Sequence, residues 1–191
     1  MAIIQTNPIA LAGPWTAGYV LDYHSVSAVH TGDPYHPFEM KYTELGARVY
    51  RFKYRGDTTA LPDILDTAEA FIRGLNVKVD CVVPAPPSKK RVSQPVVELA
   101  RELAQRLAVP TLETAVIKVK QTESMKNVPA WERPKVLEEA VQPGSESASG
   151  RAILLVDDLI DSGSTLRRAT EVLLKNCGAS VVYALALTRT R

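Results

Sequence analysis

Hydrophobic positions change their period several times along the chain, and each change marks an element. Between Thr43 and Tyr54, Leu45, Val49 and Phe52 recur at helical spacing, and Gly56 stands where a helix-ending glycine belongs. Leu61 to Leu75 repeats the pattern, with Ile64, Leu65, Ala68 and Phe71 on one face. Val79-Asp80-Cys81-Val82-Val83 has no helical period. It is a short apolar run stopped by Pro84, Pro86 and Pro87, and it predicts a buried strand. Val96, Leu99, Ala100, Leu103 and Leu107 form the stripe of a third helix over 96–107. Val116 to Val119 predicts a short strand, 120–135 has no period and predicts a long loop, and 137–141 fits helix or strand. Pro143 to Gly150 is a surface turn. A strand over 152–156, a helix over 164–176 and a strand over 181–187 close the series, with Gly178 as the glycine that ends the last helix.

From residue 45 onward strands alternate with helices. That implies βαβ units and an α/β domain (45–191) with a parallel sheet flanked by helices. Residues 1–44 differ. They carry Pro8, Pro14, Pro34 and Pro37 and all three histidines, and Tyr19, Leu21 and Tyr23 alternate with Val20, Asp22 and His24. The alternation predicts a strand or hairpin, so this part is read as a small β-rich N-terminal extension.

Composition narrows the classes. A chain of 191 residues with 46% hydrophobic and 23% charged positions suits one folded domain. A net charge of +2 provides no basic field, so direct nucleic-acid binding is not expected. Cys81 and Cys177 lie far apart in apolar surroundings and read as buried thiols rather than a disulfide or zinc site. His24, His30 and His36 recur every six residues, which suits neither a helix face nor a metal-ligand pair. No apolar run approaches the ~20 residues of a membrane span, and no basic segment precedes an apolar one at the start. A cytoplasmic location is the expectation.

The chemistry concentrates in Leu154-Leu155-Val156-Asp157-Asp158-Leu159-Ile160-Asp161-Ser162-Gly163-Ser164-Thr165-Leu166. An apolar strand runs into two carboxylates and then into a Ser/Gly/Thr-lined helix start. Such a start offers free N–H groups and the positive end of the helix dipole. Gly163 permits close backbone approach, and Ser162, Ser164 and Thr165 add hydroxyls, so the turn forms a phosphate cup. Asp157 and Asp158 repel a phosphate; they suit ribose hydroxyls or a hydrated Mg²⁺. A bare Asp-Asp commonly does no more than cap a helix. The register of Asp161 to Thr165 behind it points instead to a ligand with a phosphate, vicinal hydroxyls and a metal-binding group.

Segment 152–166 resembles the phosphoribosyl-pyrophosphate (PRPP) motif of type I phosphoribosyltransferases, and is most similar to their ComF-like branch, linked to competence and DNA uptake. Phe52-Lys53-Tyr54-Arg55-Gly56-Asp57 resembles that branch's early Lys-Tyr-x-Gly-Asp element, and Val82 to Ser88 resembles its Pro-rich strand-end loop. The likeness covers about residues 45–190. It implies a catalytic group of Asp157, Asp158 and Asp161, with Asp157 and Asp158 holding the ribose hydroxyls directly or through Mg²⁺. It implies a 5-phosphate site of Asp161, Ser162, Gly163, Ser164 and Thr165, and a pyrophosphate loop of Ala85, Pro86, Ser88 and Lys89. Asp161 stands where hypoxanthine-guanine relatives carry an acid near the base, a hint of purine chemistry. The implied partners are PRPP and an unidentified base, with a homodimer by analogy of architecture. Many ComF relatives carry a Cys-rich zinc ribbon ahead of the domain and this chain has none, which weakens a DNA-facing role.

Loss of pyrophosphate from ribose C1 passes through an oxocarbenium-like state. It needs charge neutralisation and positioning rather than a covalent residue, so the lack of a Ser-His-Asp set is no objection. Lys89, Lys90 and Arg91 could meet pyrophosphate oxygens or simply begin a solvated helix. Lys120, Lys126 and Arg133 could belong to a closing loop or to a plain connection. Trp131 is expected to pack onto the core rather than stack on a base. The leading expectation is therefore a Mg²⁺-dependent phosphoribosyltransferase. The alternative is a non-catalytic PRPP- or nucleotide-binding protein acting in DNA uptake or regulation. A receiver domain would carry its acid pair early in the fold, and a haloacid-dehalogenase-type phosphatase needs Asp-x-Asp, so both rank low.

Overall fold

The computed structural model describes residues 3–33, 38–87, 94–120, 128–129 and 131–191, apart from the side chains of 133, 134 and 137. The strands are β1 (Ile9–Ala10), β2 (Ala17–Tyr23), β3 (Ser25–His30), β4 (Phe38–Tyr42), β5 (Cys81–Pro84), β6 (Val116–Lys118), β7 (Val141–Pro143), β8 (Ala152–Ile160) and β9 (Val181–Arg189). The helices are α1 (Glu44–Arg55), α2 (Leu61–Gly74), α3 (Pro95–Leu107), α4 (Arg133–Ala140) and α5 (Ser164–Lys175). A single 3₁₀ turn, Thr58–Ala60, joins α1 to α2.

One five-stranded sheet organises the fold, in the order β1-β2-β9-β8-β5. β2, β9, β8 and β5 run parallel, and β1 lies antiparallel on the β2 edge. Pleating sends alternate residues of β8 to opposite faces. Leu154 and Val156 join Leu45, Ile64, Leu99 and Leu103 of α1, α2 and α3 in one core. Ile153 and Leu155 join Leu166, Ala169 and Leu173 of α5 in the other. Both faces are covered, which is why these strands read as continuous apolar runs rather than as alternation. β3 and β4 form a separate ribbon, as do β6 and β7.

Three elements differ from the sequence expectation. β2 is a strand of the main sheet, paired in parallel with β9 from Ala17↔Tyr183 to Tyr23↔Arg189, so within 1–44 the ribbon strands β3 and β4 are what stands outside it. β8 continues through Asp157 and Asp158 to Ile160 instead of ending at Val156, because β9 pairs with it to the end, as in Ile160↔Arg189. Residues 133–135, expected in a loop, begin α4, which resolves the ambiguity of 137–141 into a helix end followed by β7.

The C-terminal ends of β2, β5, β8 and β9 lie on one side of the sheet, as parallel strands require. Chain leaving β2 turns directly into the β3–β4 ribbon, so the ribbon rises from the edge where ligands of open α/β sheets bind.

Candidate functional site

Helix α1 is seated on the end of β2 by its cap. Thr43 Oγ1 accepts from the Gly46 N–H at 2.9 Å and donates to the Tyr23 carbonyl at 2.7 Å. Gly46 lets the helix backbone press on the strand, since a Cβ there would sit 1.9 Å from the His24 carbonyl oxygen. Seated in this way, α1 sends Lys53 towards β8, and its Nζ lies 2.6 Å from Asp158 Oδ1. The side chains are 17% and 6% exposed, so this is a buried ion pair. Asp157 is less enclosed, and its Oδ1 accepts from the Asp158 N–H at 2.8 Å.

These charges set one another. Burial, and then the Asp158 carboxylate, push Asp157 up to about 7, against the pull of Lys53. Burial alone would lower Lys53, but its contact with Asp158 holds it above the usual lysine value. Burial lowers His24 below the ordinary imidazole value; Lys53 adds to that and Asp158 opposes it. His24 Nδ1 lies 3.1 Å from Thr188 Oγ1, and that hydroxyl donates to the Asp158 carbonyl at 3.3 Å. With the hydroxyl proton so committed, Nδ1 is the donor, and a neutral His24 keeps Nε2 as an acceptor. The edge of the His24 ring meets Tyr42, and Tyr42 stacks on Tyr50 at 5.0 Å.

The turn after β8 leads into a helix start without a side-chain cap. Gly163 takes φ +73° as N-cap of α5, with no side chain capping the helix. The Ser162 and Ser164 hydroxyls are 2.7 Å apart. Among the described residues, the N–H groups of Thr165 and Leu166 have no acceptor. A helix start of this kind attracts an anion. Asp161 is exposed and accepts from the Thr190 hydroxyl, which ties it to the chain leaving β9.

Across β8 lies the loop after β5. The Ala85 N–H donates to the Val156 carbonyl at 2.8 Å, and both Ala85 and Pro86 are buried. Ser88 and Lys89, read as the rest of the pyrophosphate loop, lie outside the described residues, as do Lys90, Arg91 and Lys126. Lys120 pairs with Glu139 at 3.0 Å on the surface. Trp131 is 79% exposed, so the expectation that it packs onto the core fails. His24 is buried beside Thr188, while His30 is exposed with its ring against Phe38.

Asp157 and Asp158 thus lie near the end of β8, and three residues separate Ile160 from the start of α5 at Ser164. Lys53 belongs to the Lys-Tyr-x-Gly-Asp element, whose resemblance implies no role for it. One signal marked it: it lies four residues after Val49 and next to Phe52, on the face of α1 that the stripe buries. His24 and Thr188 carried no comparable signal, because their contact joins positions 164 apart. Among the described residues, no helix is long and apolar enough to cross a membrane.

Comparison with known proteins gives the following. Residues 96–190 match the family model described as phosphoribosyl transferase domain. The chain is 30% identical over 142 residues to the competence protein ComFC of Bacillus subtilis (strain 168), a match that covers 73% of this chain and 58% of that protein. Similar solved structures include adenine phosphoribosyltransferase from Trypanosoma brucei in complex with AMP, pyrophosphate and ribose-5-phosphate. It is 15% identical with a TM-score of 0.49, over 95% of this chain and 74% of that one. Adenine phosphoribosyltransferase from Saccharomyces cerevisiae is 15% identical with a TM-score of 0.47, over 70% and 72%.

Proposed function

Because the chain belongs to the type I phosphoribosyltransferase family, on its ComF-like branch, we propose that it binds PRPP with Mg²⁺ and transfers the phosphoribosyl group to or from a nitrogenous base. One observation carries the reading: a carboxylate pair, Asp157 and Asp158, lies near the C-terminal end of the strand whose following helix opens with N–H groups that have no acceptor among the described residues. A sugar carrying a phosphate uses both at once.

In this reading Asp157 and Asp158 hold the ribose hydroxyls, and Asp161 to Thr165 hold the 5-phosphate. Ala85 and Pro86, with Ser88 and Lys89, border the pyrophosphate. Lys53 is a positioning residue: its contact with Asp158 Oδ1 fixes that side chain, so that the sugar meets a preset acceptor. Two adjacent carboxylates are hard oxygen donors of the kind Mg²⁺ shares with a phosphorylated ligand, so the residues fit the ion. Bound there, Mg²⁺ would supply neutralisation of charge on the departing pyrophosphate. Asp161, which is exposed, would face the base, and the β3–β4 ribbon would help to exclude water.

A second reading has support in the relative's name. The matched B. subtilis protein is a competence protein, and this chain spans 58% of its length. Here the chain binds PRPP or a nucleotide without turnover and acts in DNA uptake or regulation. Two measurements on the same preparation separate the readings: calorimetric titration with PRPP plus Mg²⁺, and pyrophosphate release across purine and pyrimidine bases. Binding with release supports transfer, and binding without release for every base supports the second reading. No binding, or normal binding by Asp158→Asn, would overturn the site in both.

A further inference from the structure

The β3–β4 ribbon carries a free edge. Among the described residues its sheet has two strands, and β4 pairs with β3 alone. Two strands by themselves are marginal in water, and the outer edge of each presents unpaired N–H and C=O groups. Opposite residues share a face, so the register Ala28↔Met40 and His30↔Phe38 puts Phe38 and Met40 on one side with Ala28 and His30. Phe38 is 58% exposed and Met40 38%, so this apolar face is left largely uncovered.

The two edges differ. β3 is irregular, with a register shift between Ser25 and Ser27, and a bulge of that kind protects an edge. β4 pairs without a break from Phe38 to Lys41 and contains no proline. Its sequence, Phe38-Glu39-Met40-Lys41-Tyr42, sets an acid and a base symmetrically about Met40. Both charges are exposed, and among the described residues neither has an ion pair. Opposite them in β3 stand the uncharged Val29 and Ser27. An antiparallel second β4 centred on Met40 sets Glu39 against Lys41 of the other copy, twice, and Phe38 against Tyr42. A slip of one residue puts the two apolar faces on opposite sides of the sheet. A slip of two sets Glu39 on Glu39 or Lys41 on Lys41. Charge and face together select one register, and the strand that satisfies it is the chain's own.

We infer that the chain forms a two-fold dimer in which β4 pairs antiparallel with β4 of a second copy, joining the two ribbons into one four-stranded sheet. Phe38, Met40 and Tyr42 of both copies then make one apolar face across the axis. Tyr42 is already stacked on Tyr50, which fixes that end of the strand before the copies meet. The pairing needs nothing from the proposed function.

The test is analytical ultracentrifugation of the full chain over a concentration series, for wild type, Glu39→Lys, Lys41→Glu and the variant carrying both changes. Wild type is expected to show a monomer–dimer equilibrium in the micromolar range. Each single change opposes like charges at both contacts and is expected to weaken the dimer at least about tenfold. The double variant restores it, and an equal mixture of the two single variants forms a heterodimer, because one presents only bases and the other only acids. Both positions are exposed, so all variants are expected to melt as wild type does. A wild type that stays monomeric up to about 1 mM overturns the inference. A dimer that keeps its strength in either single variant overturns it too, since the contact then lies elsewhere. Single variants that stay monomeric when mixed, or association that runs on beyond the dimer, also overturn it.

Discussion

The two sides of the β8–α5 junction treat charge in opposite ways. On the α1 side, the Asp158 carboxylate is buried and answered within the chain by Lys53. On the α5 side, Arg167 and Arg189 line a cavity that holds no acid. The first arrangement is closed: removing either partner strands the other. The second is open: no acid lines the cavity, and Arg189 Nε has no hydrogen-bond partner among the described residues.

The largest expected effect comes from breaking the closed side. Lys53→Met leaves a buried carboxylate alone and is expected to cost about 3–5 kcal/mol in thermal or urea unfolding. Arg189→Met removes a buried donor that has no partner among the described residues and is expected to raise stability by about 1–3 kcal/mol in the same experiment. Equal losses would erase the distinction between the two sides. Next comes the hinge between them. Gly163→Val forces a β-branched residue into φ +73°, with an expected cost of about 1–3 kcal/mol and a marked fall in PRPP affinity by calorimetry. Retained affinity would show that the turn needs no glycine.

A smaller effect is expected from the pH dependence of Asp157. Asp157 rises from 3.8 to about 7 on folding, so the native state binds its proton more tightly than the unfolded chain. The stability this contributes is complete below about 4 and is lost as pH climbs through about 7. Asp157→Asn does not titrate. The variant is thus expected to gain over wild type at pH 8 by on the order of 1 kcal/mol, given partial solvent screening, and to show no gain at pH 4. Melting temperatures at the two pH values check this; an equal shift at both would contradict the assignment. The smallest effect belongs to a surface pair. Arg101 and Glu113 bond on an exposed face, and Arg101→Ala is expected to cost less than about 1 kcal/mol by the same melts.

What was legible in the sequence was local. The junction from Leu154 to Leu166 could be read because strand, acids, glycine and helix start are contiguous, and helix α3 because its stripe is self-contained. Lys53 lay within a quoted motif, yet its partner is 105 positions away, and no period links the two. Arg189 carried no signal at all: it ends a strand, and only the packing of β1 and Trp15 against the α5 start turns it into a cavity wall. Asp157 and Asp158 read as lying beyond the strand, because carboxylates ordinarily end an apolar run. Pairing with β9 carried the strand past them.

The parallel pairing of β2 with β9 has a consequence for synthesis. His24 and Thr188, which close that pair, are separated by 164 residues. At translation rates of about 5–20 residues per second, β2 waits roughly ten to thirty seconds for its neighbour to be made. Throughout that interval Val20 and Leu21, both wholly buried at the end, have no sheet to join. Until β9 is made, nascent chains therefore leave those residues open to chaperones and to wrong partners.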